Sequence, residues 1–124
     1  MKKRILIVEN DKDIRDVISI ILTEEGYLVS TFGTEKEIFN HIRDFNPDII
    51  LLDIIQPTKE GTQLCREIKE AEGTRHIPVI VLSTHLKIAA VKDICADEVL
   101  AKPFDIPQLI KVIEGELTEG ELEN

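Results

Sequence analysis

Residues 49–53 read Ile-Ile-Leu-Leu-Asp, four aliphatic side chains in a row stopped by a carboxylate. A strand with one face in water alternates apolar and polar residues. An unbroken aliphatic run fits instead a strand covered on both faces, as in a parallel sheet sandwiched between helices. The same texture recurs in Ile5-Leu6-Ile7-Val8 and Val79-Ile80-Val81-Leu82, with looser versions in Tyr27 to Phe32 and Glu98-Val99-Leu100.

Helical periodicity fills the intervals. Ile14, Val17, Ile18, Ile21 and Leu22 form one apolar stripe, with Gly26 placed to stop it. Ile38, Phe39, Ile42 and Phe45 form the next; Thr34 with Glu37 three residues on has the pattern of a capping box, and Pro47 ends the segment. Leu64, Cys65 and Ile68 mark a third helix, Ile88 to Ile94 a short fourth, and Ile106, Leu109, Ile110 and Ile113 a fifth. Five βα units in series predict an α/β fold: an open, doubly wound, five-stranded parallel sheet with right-handed crossovers and helices on both faces. No internal repeat interrupts it. From Glu114 onward the chain turns acidic and glycine-containing, so one domain over residues 1–117 and a frayed acidic tail over 118–124 are expected.

With 124 residues the chain fits one domain and can bury a core without staples. Hydrophobic residues at 43% and charged residues at 31% suit a globular protein rather than a disordered one. The formal charge of −9 opposes direct binding to nucleic acid or an anionic membrane. No apolar run approaches the ~20 residues that span a bilayer. The run after Met1-Lys2-Lys3-Arg4 stops at Glu9, too soon for a signal peptide, which points to the cytoplasm. Cys65 and Cys95 lack CxxC or metal-ligand spacing and read as two reduced, buried thiols.

Open α/β sheets place their site at the carboxyl ends of the strands. What ends each run is therefore informative: Glu9 and Asn10 end the first, Asp53 the third and Ser83 the fourth, while Lys102 follows the fifth. Singly, an aspartate after a strand is usually a turn former and a Lys-Pro pair usually surface. Gathered at one sheet edge, two carboxylates, a lysine and a hydroxyl suit the equatorial oxygens of a transferring phosphoryl group, with a hard cation such as Mg²⁺ relieving the repulsion between the acids.

The segments ILIVEND (Ile5 to Asp11), LLDIIQP (Leu51 to Pro57) with Gly61 after it, IPVIVLST (Ile77 to Thr84) and AKPF (Ala101 to Phe104) resemble, in order and spacing, the receiver domains of bacterial response regulators, over Lys3 to Leu117. The resemblance implies a flavodoxin-like strand order, 2-1-3-4-5. It implies Asp53 as phosphoacceptor, Lys102 as its contacting lysine, Ser83 as the switch hydroxyl, and a cis Lys102-Pro103 bond. Mg²⁺ would be held by Glu9, Asn10, Asp53 and the backbone carbonyl of Ile55. A histidine kinase or histidine phosphotransfer protein would be the donor and a separate effector protein the reader, the chain being a stand-alone phosphoacceptor and not an enzyme in its own right.

Several positions depart from the family pattern. Asn10 stands where an aspartate usually ligates the metal, at a cost of ~1–2 kcal/mol in Mg²⁺ binding; Asp11 is the nearest substitute, one position off. Val99 replaces the switch aromatic, the stretch from Ser83 to Lys102 is about three residues short, and Cys95 stands where glycine is frequent. Thr84 and His85 follow the switch serine, where tuning of dephosphorylation is one role open to them and a solvated surface position is the better fit for His85. These departures motivate an alternative, a pseudo-receiver that binds partners without phosphorylation. An FMN carrier is disfavoured because Glu9-Asn10-Asp11-Lys12-Asp13 would repel a phosphate, and a haloacid dehalogenase-type phosphatase because Asp53-Ile54-Ile55 lacks the second acid.

Overall fold

The computed structural model describes residues 2–122. The order is β1 (Arg4–Val8), α1 (Lys12–Glu24), β2 (Leu28–Phe32), α2 (Ile38–Phe45), β3 (Ile49–Asp53), α3 (Gln63–Glu70), β4 (Val79–Ser83), α4 (Val91–Ile94), β5 (Glu98–Ala101) and α5 (Ile106–Leu122), with a 3₁₀ turn, Ile88–Ala90, leading into α4. All strand pairs are parallel, in the order β2-β1-β3-β4-β5. This is the expected doubly wound sheet.

The unbroken aliphatic runs divide by strand alternation between two cores. Leu6, Val8, Ile50, Leu52, Val79 and Val81 pack against α2, α3 and α4. Ile5, Ile7, Ile49, Leu51, Ile80 and Leu82 pack against α1 and α5. Apart from Arg4 at the amino end of β1, the strands β1, β3 and β4 are buried along their length, and Asp53 and Ser83 stand at the carboxyl ends of β3 and β4.

Gly26 stops α1 as expected, at a φ of +100° that side chains rarely adopt. The expected capping box at Thr34 and Glu37 does not form. Glu37 itself is the N-cap of α2, in a left-handed conformation (φ 59°) without a side-chain cap, and Thr34 Oγ1 accepts instead from Lys36 N at 3.4 Å. The chain needs the intervening residues to turn from β2 toward the helix, so the helix begins later than the capping pattern suggests. At the other end Asn46, also left-handed, donates from its N–H to the Ile42 carbonyl just before Pro47.

Two further expectations are corrected. The acidic segment after Glu114 is not frayed: α5 continues to Leu122, across the expected 117/118 boundary, and residues 123–124 lie outside the described residues. Glutamate is a good helix former, and Val112, Ile113 and Leu117 dock this helix on the core. Cys65 and Cys95 are not free thiols but a disulfide, their Cα atoms 5.8 Å apart. A separation of 30 residues in sequence says nothing of proximity once α3 and the end of α4 pack on the same sheet face.

Candidate functional site

Glu9, Asn10, Asp53, Ser83 and Lys102 all emerge at the carboxyl edge, around the point where the connections leaving the paired strands β1 and β3 run to opposite sides of the sheet. The register places Asp53 beside Leu82 and Ser83 beside Ala101, so β4 separates Asp53 from the end of β5. Lys102 bridges that gap with its long stem.

Lys102 is the organising cation. Its backbone N–H donates to the Ser83 carbonyl at 2.8 Å, which fixes where the side chain starts. Its Nζ reaches Asp53 Oδ1 at 3.1 Å and Glu9 Oε1 at 2.5 Å, with only 10% of the side chain exposed. Burial would lower the lysine pKa, but Glu9 and Asp53 together outweigh it and hold the ammonium above its usual range.

Glu9 is fully buried. Its Oε2 accepts from the Asp11 N–H at 3.1 Å, whereas the buried Oε1 faces Lys102 without a well-directed hydrogen bond. Desolvation raises the Glu9 pKa, against the opposing pull of Lys102 and the Asp11 N–H and with the help of Asp53. Asp53 is also sheltered, at 12% side-chain exposure, and its Oδ2 receives the Asn10 N–H at 3.4 Å.

Asn10 is exposed and meets Asp53 through its backbone. Asp11 is committed elsewhere: its Oδ1 caps α1 by accepting from Asp13 N at 2.9 Å and Ile14 N at 3.1 Å. Ile55, its side chain 70% exposed, lines one open cleft with Asn10, Asp53, Gln56 and Thr58. Gly61 closes that loop; a Cβ there would collide with the Gln56 backbone carbonyl. Ser83 is 1% exposed, and its Oγ accepts from the His85 N–H at 3.1 Å. The Lys102-Pro103 peptide is cis, as expected from the resemblance. Thr84 is exposed, and His85 Nδ1 accepts from the Lys87 N–H at 3.1 Å.

Among the described residues no group of three His, Cys, Asp or Glu side chains is gathered to hold a metal. The donors at this edge are nevertheless hard oxygens: the Glu9 and Asp53 carboxylates, the Asn10 amide and loop carbonyls. That donor set fits Mg²⁺ chemically, with one charge fewer than a three-carboxylate site.

Arg15 escaped the sequence reading. Its guanidinium donates to the Glu9 carbonyl at 2.8 Å and holds the β1–α1 turn from below. Gly33 makes room for it, since a Cβ there would lie 2.8 Å from Arg15 Nη1. The available signal was an arginine in the first turn of a helix, where the macrodipole disfavours a cation unless another acceptor compensates.

This arrangement places the chain among open α/β proteins whose chemistry sits at the strand ends. The sequence profile of the response regulator receiver domain matches residues 5–114, and the chain belongs to that family, the phosphoacceptor domain of two-component signalling. It is similar to the DNA-binding response regulator MtrA of Mycolicibacterium smegmatis, 27% identical over 98% of this chain but 53% of that protein; the chain spans about half the length of such curated relatives. Among solved structures it resembles a CheY-like response regulator receiver domain protein from Methanospirillum hungatei, with TM-score 0.86 and 30% identity over 100% of both chains. It also resembles the response regulator TrrA of Thermotoga maritima in complex with Mg²⁺-BeF, with TM-score 0.78 and 27% identity over 92% of this chain and 98% of that one.

Proposed function

We propose that the chain accepts a phosphoryl group on Asp53 from the phosphohistidine of a histidine kinase or histidine phosphotransfer protein, and passes the signal on through contacts with an effector protein. The observation that carries this reading is the convergence of Lys102 Nζ on Asp53 Oδ1 at 3.1 Å beside buried Glu9. A carboxylate held at a cleft mouth by a lysine can attack phosphorus while the lysine neutralises charge on the oxygens.

In the proposed transfer an Asp53 oxygen forms the new P–O bond as the P–N bond to the donor imidazole breaks, and the imidazole keeps the electron pair and takes a proton. Lys102 is placed to follow an equatorial oxygen of the phosphoryl group. The Ser83 hydroxyl serves as acceptor toward His85, so its own proton is free for a second oxygen. Mg²⁺, held by Glu9, Asp53, Asn10 and the Ile55 carbonyl, would supply the remaining positive charge. TrrA, described in complex with Mg²⁺-BeF, supports that assignment. The chain is a phosphoacceptor rather than a turnover enzyme, and its proposed setting is the cytoplasm. Among the described residues no helix is long and apolar enough to cross a membrane, and the charge of −9 disfavours direct nucleic-acid contact.

A second reading, a pseudo-receiver that works without phosphorylation, is favoured by one observation: Lys102 already compensates both carboxylates, and Asn10 adds no charge to attract a metal. Intact mass after incubation with Mg²⁺ and acetyl phosphate separates the two. A single hydroxylamine-labile adduct, absent from Asp53→Asn, supports the phosphoacceptor. No adduct at saturating Mg²⁺ supports the pseudo-receiver.

A further inference from the structure

Cys65 lies on α3 with no exposed surface, while Cys95 caps the carboxyl end of α4 and is partly exposed. The disulfide ties α3 to the end of α4, next to the ion pair of Lys69 on α3 with Asp97 at 2.8 Å, which holds the turn after α4 but not residues 86–94. What it fastens is thin. From Ile88 to Ile94 there is one 3₁₀ turn and one turn of helix, and only Ile88 and Val91 are buried. Leu86 is 99% exposed and Ile94 48%. A segment with so few apolar anchors opens at low cost, so a covalent tie at its end contributes a large share of its order.

The segment also borders the candidate site. Leu86, Ile88, Lys92, Val99 and Lys102 line one cleft, which the small Val99 side chain leaves open. Displacement of this segment would change the surroundings of Lys102 and of Ser83, at the other end of the same loop.

We propose that Cys65 and Cys95 form a reversible dithiol–disulfide couple that governs how firmly residues 86–95 are held beside Lys102. The oxidant is a low-molecular-weight disulfide such as oxidised glutathione. The more accessible Cys95 thiolate attacks one of its sulfurs and releases a glutathione thiolate, leaving a mixed disulfide. The Cys65 thiolate then displaces the second glutathione. The protein loses two electrons and two protons, and two glutathione thiols are formed. A thiol reductant reverses both steps.

The test requires no phosphorylation, so its outcome is separate from that of the phosphoacceptor reading. The chain is equilibrated without denaturant in mixtures of reduced and oxidised glutathione, quenched with iodoacetamide and weighed intact. Hydrogen exchange is followed over residues 86–95 in both end states. A single transition between unalkylated and doubly alkylated protein is expected, with exchange over 86–95 about tenfold faster in the reduced form. Cys95→Ser, and independently Cys65→Ser should either variant fold poorly, should exchange at the reduced rate in every mixture. Alkylation that ignores the glutathione ratio, a disulfide reducible only after unfolding, or equal exchange in both end states would overturn the proposal.

Discussion

Lys102 Nζ and Glu9 Oε1 meet at 2.5 Å with 10% and 1% of their side chains exposed, and the same ammonium holds Asp53 at 3.1 Å. A single cation thus compensates two sheltered carboxylates. Lys102→Met should cost about 3 kcal/mol at neutral pH, because it leaves buried charge uncompensated. Glu9, whose pKa burial already raises, would then bind a proton more readily in the folded than in the unfolded chain. The native state holding more protons, the variant's stability falls as pH rises, so its deficit shrinks on acidification. Urea denaturation at neutral and mildly acidic pH measures this; a deficit that grows with acidity would contradict it.

Asn10 supplies a neutral amide where a third negative charge would strengthen a cation site. Asn10→Asp should tighten Mg²⁺ binding by ~1–2 kcal/mol, roughly tenfold, in isothermal titration calorimetry. Unchanged affinity would show that the side chain at this position does not face the cation.

Gly33 and Arg15 share one space. Gly33→Ala forces the guanidinium away from the Glu9 carbonyl, which should cost about 1 kcal/mol. In an Arg15→Ala background the same change no longer meets its three nearest neighbours, all guanidinium atoms, and its cost should fall sharply. Additive losses in the double-mutant cycle would show that the two residues are not coupled.

Tyr27 is the only tyrosine and the chain has no tryptophan, so tyrosinate absorbance reports one group. Burial, reinforced by Glu114 and Glu25, raises its pKa above the ordinary 10.0. The folded protein should therefore ionise at higher pH than the unfolded chain. Because the native state then keeps its proton longer, stability should decline as pH rises through the unfolded value. Coincident titrations in buffer and in denaturant would refute this.

The fold was legible because its signals are local. Runs such as Ile49 to Leu52 alternating with amphipathic helices favour strands buried on both faces of a parallel sheet, and the residues that end them fall at one edge by topology. Glu9, Asn10, Asp53, Ser83 and Lys102 were found in this way. Arg15 was not, since its partner is a backbone carbonyl that no pattern of side chains announces. The Thr34–Glu37 pattern misled because a capping box specifies a local option, whereas the path from β2 to the sheet face chose the helix start.

Sequence alone determined the element types, the parallel doubly wound arrangement and the edge where polar groups collect, because strand and helix periodicity and the ends of apolar runs depend on near neighbours. Tertiary structure decided the pairing of Lys102 with Glu9 as well as Asp53, the joining of Cys65 to Cys95, and the extension of α5 through its acidic end. Each depends on which distant segments the sheet brings within a few ångströms, and no local pattern encodes that distance.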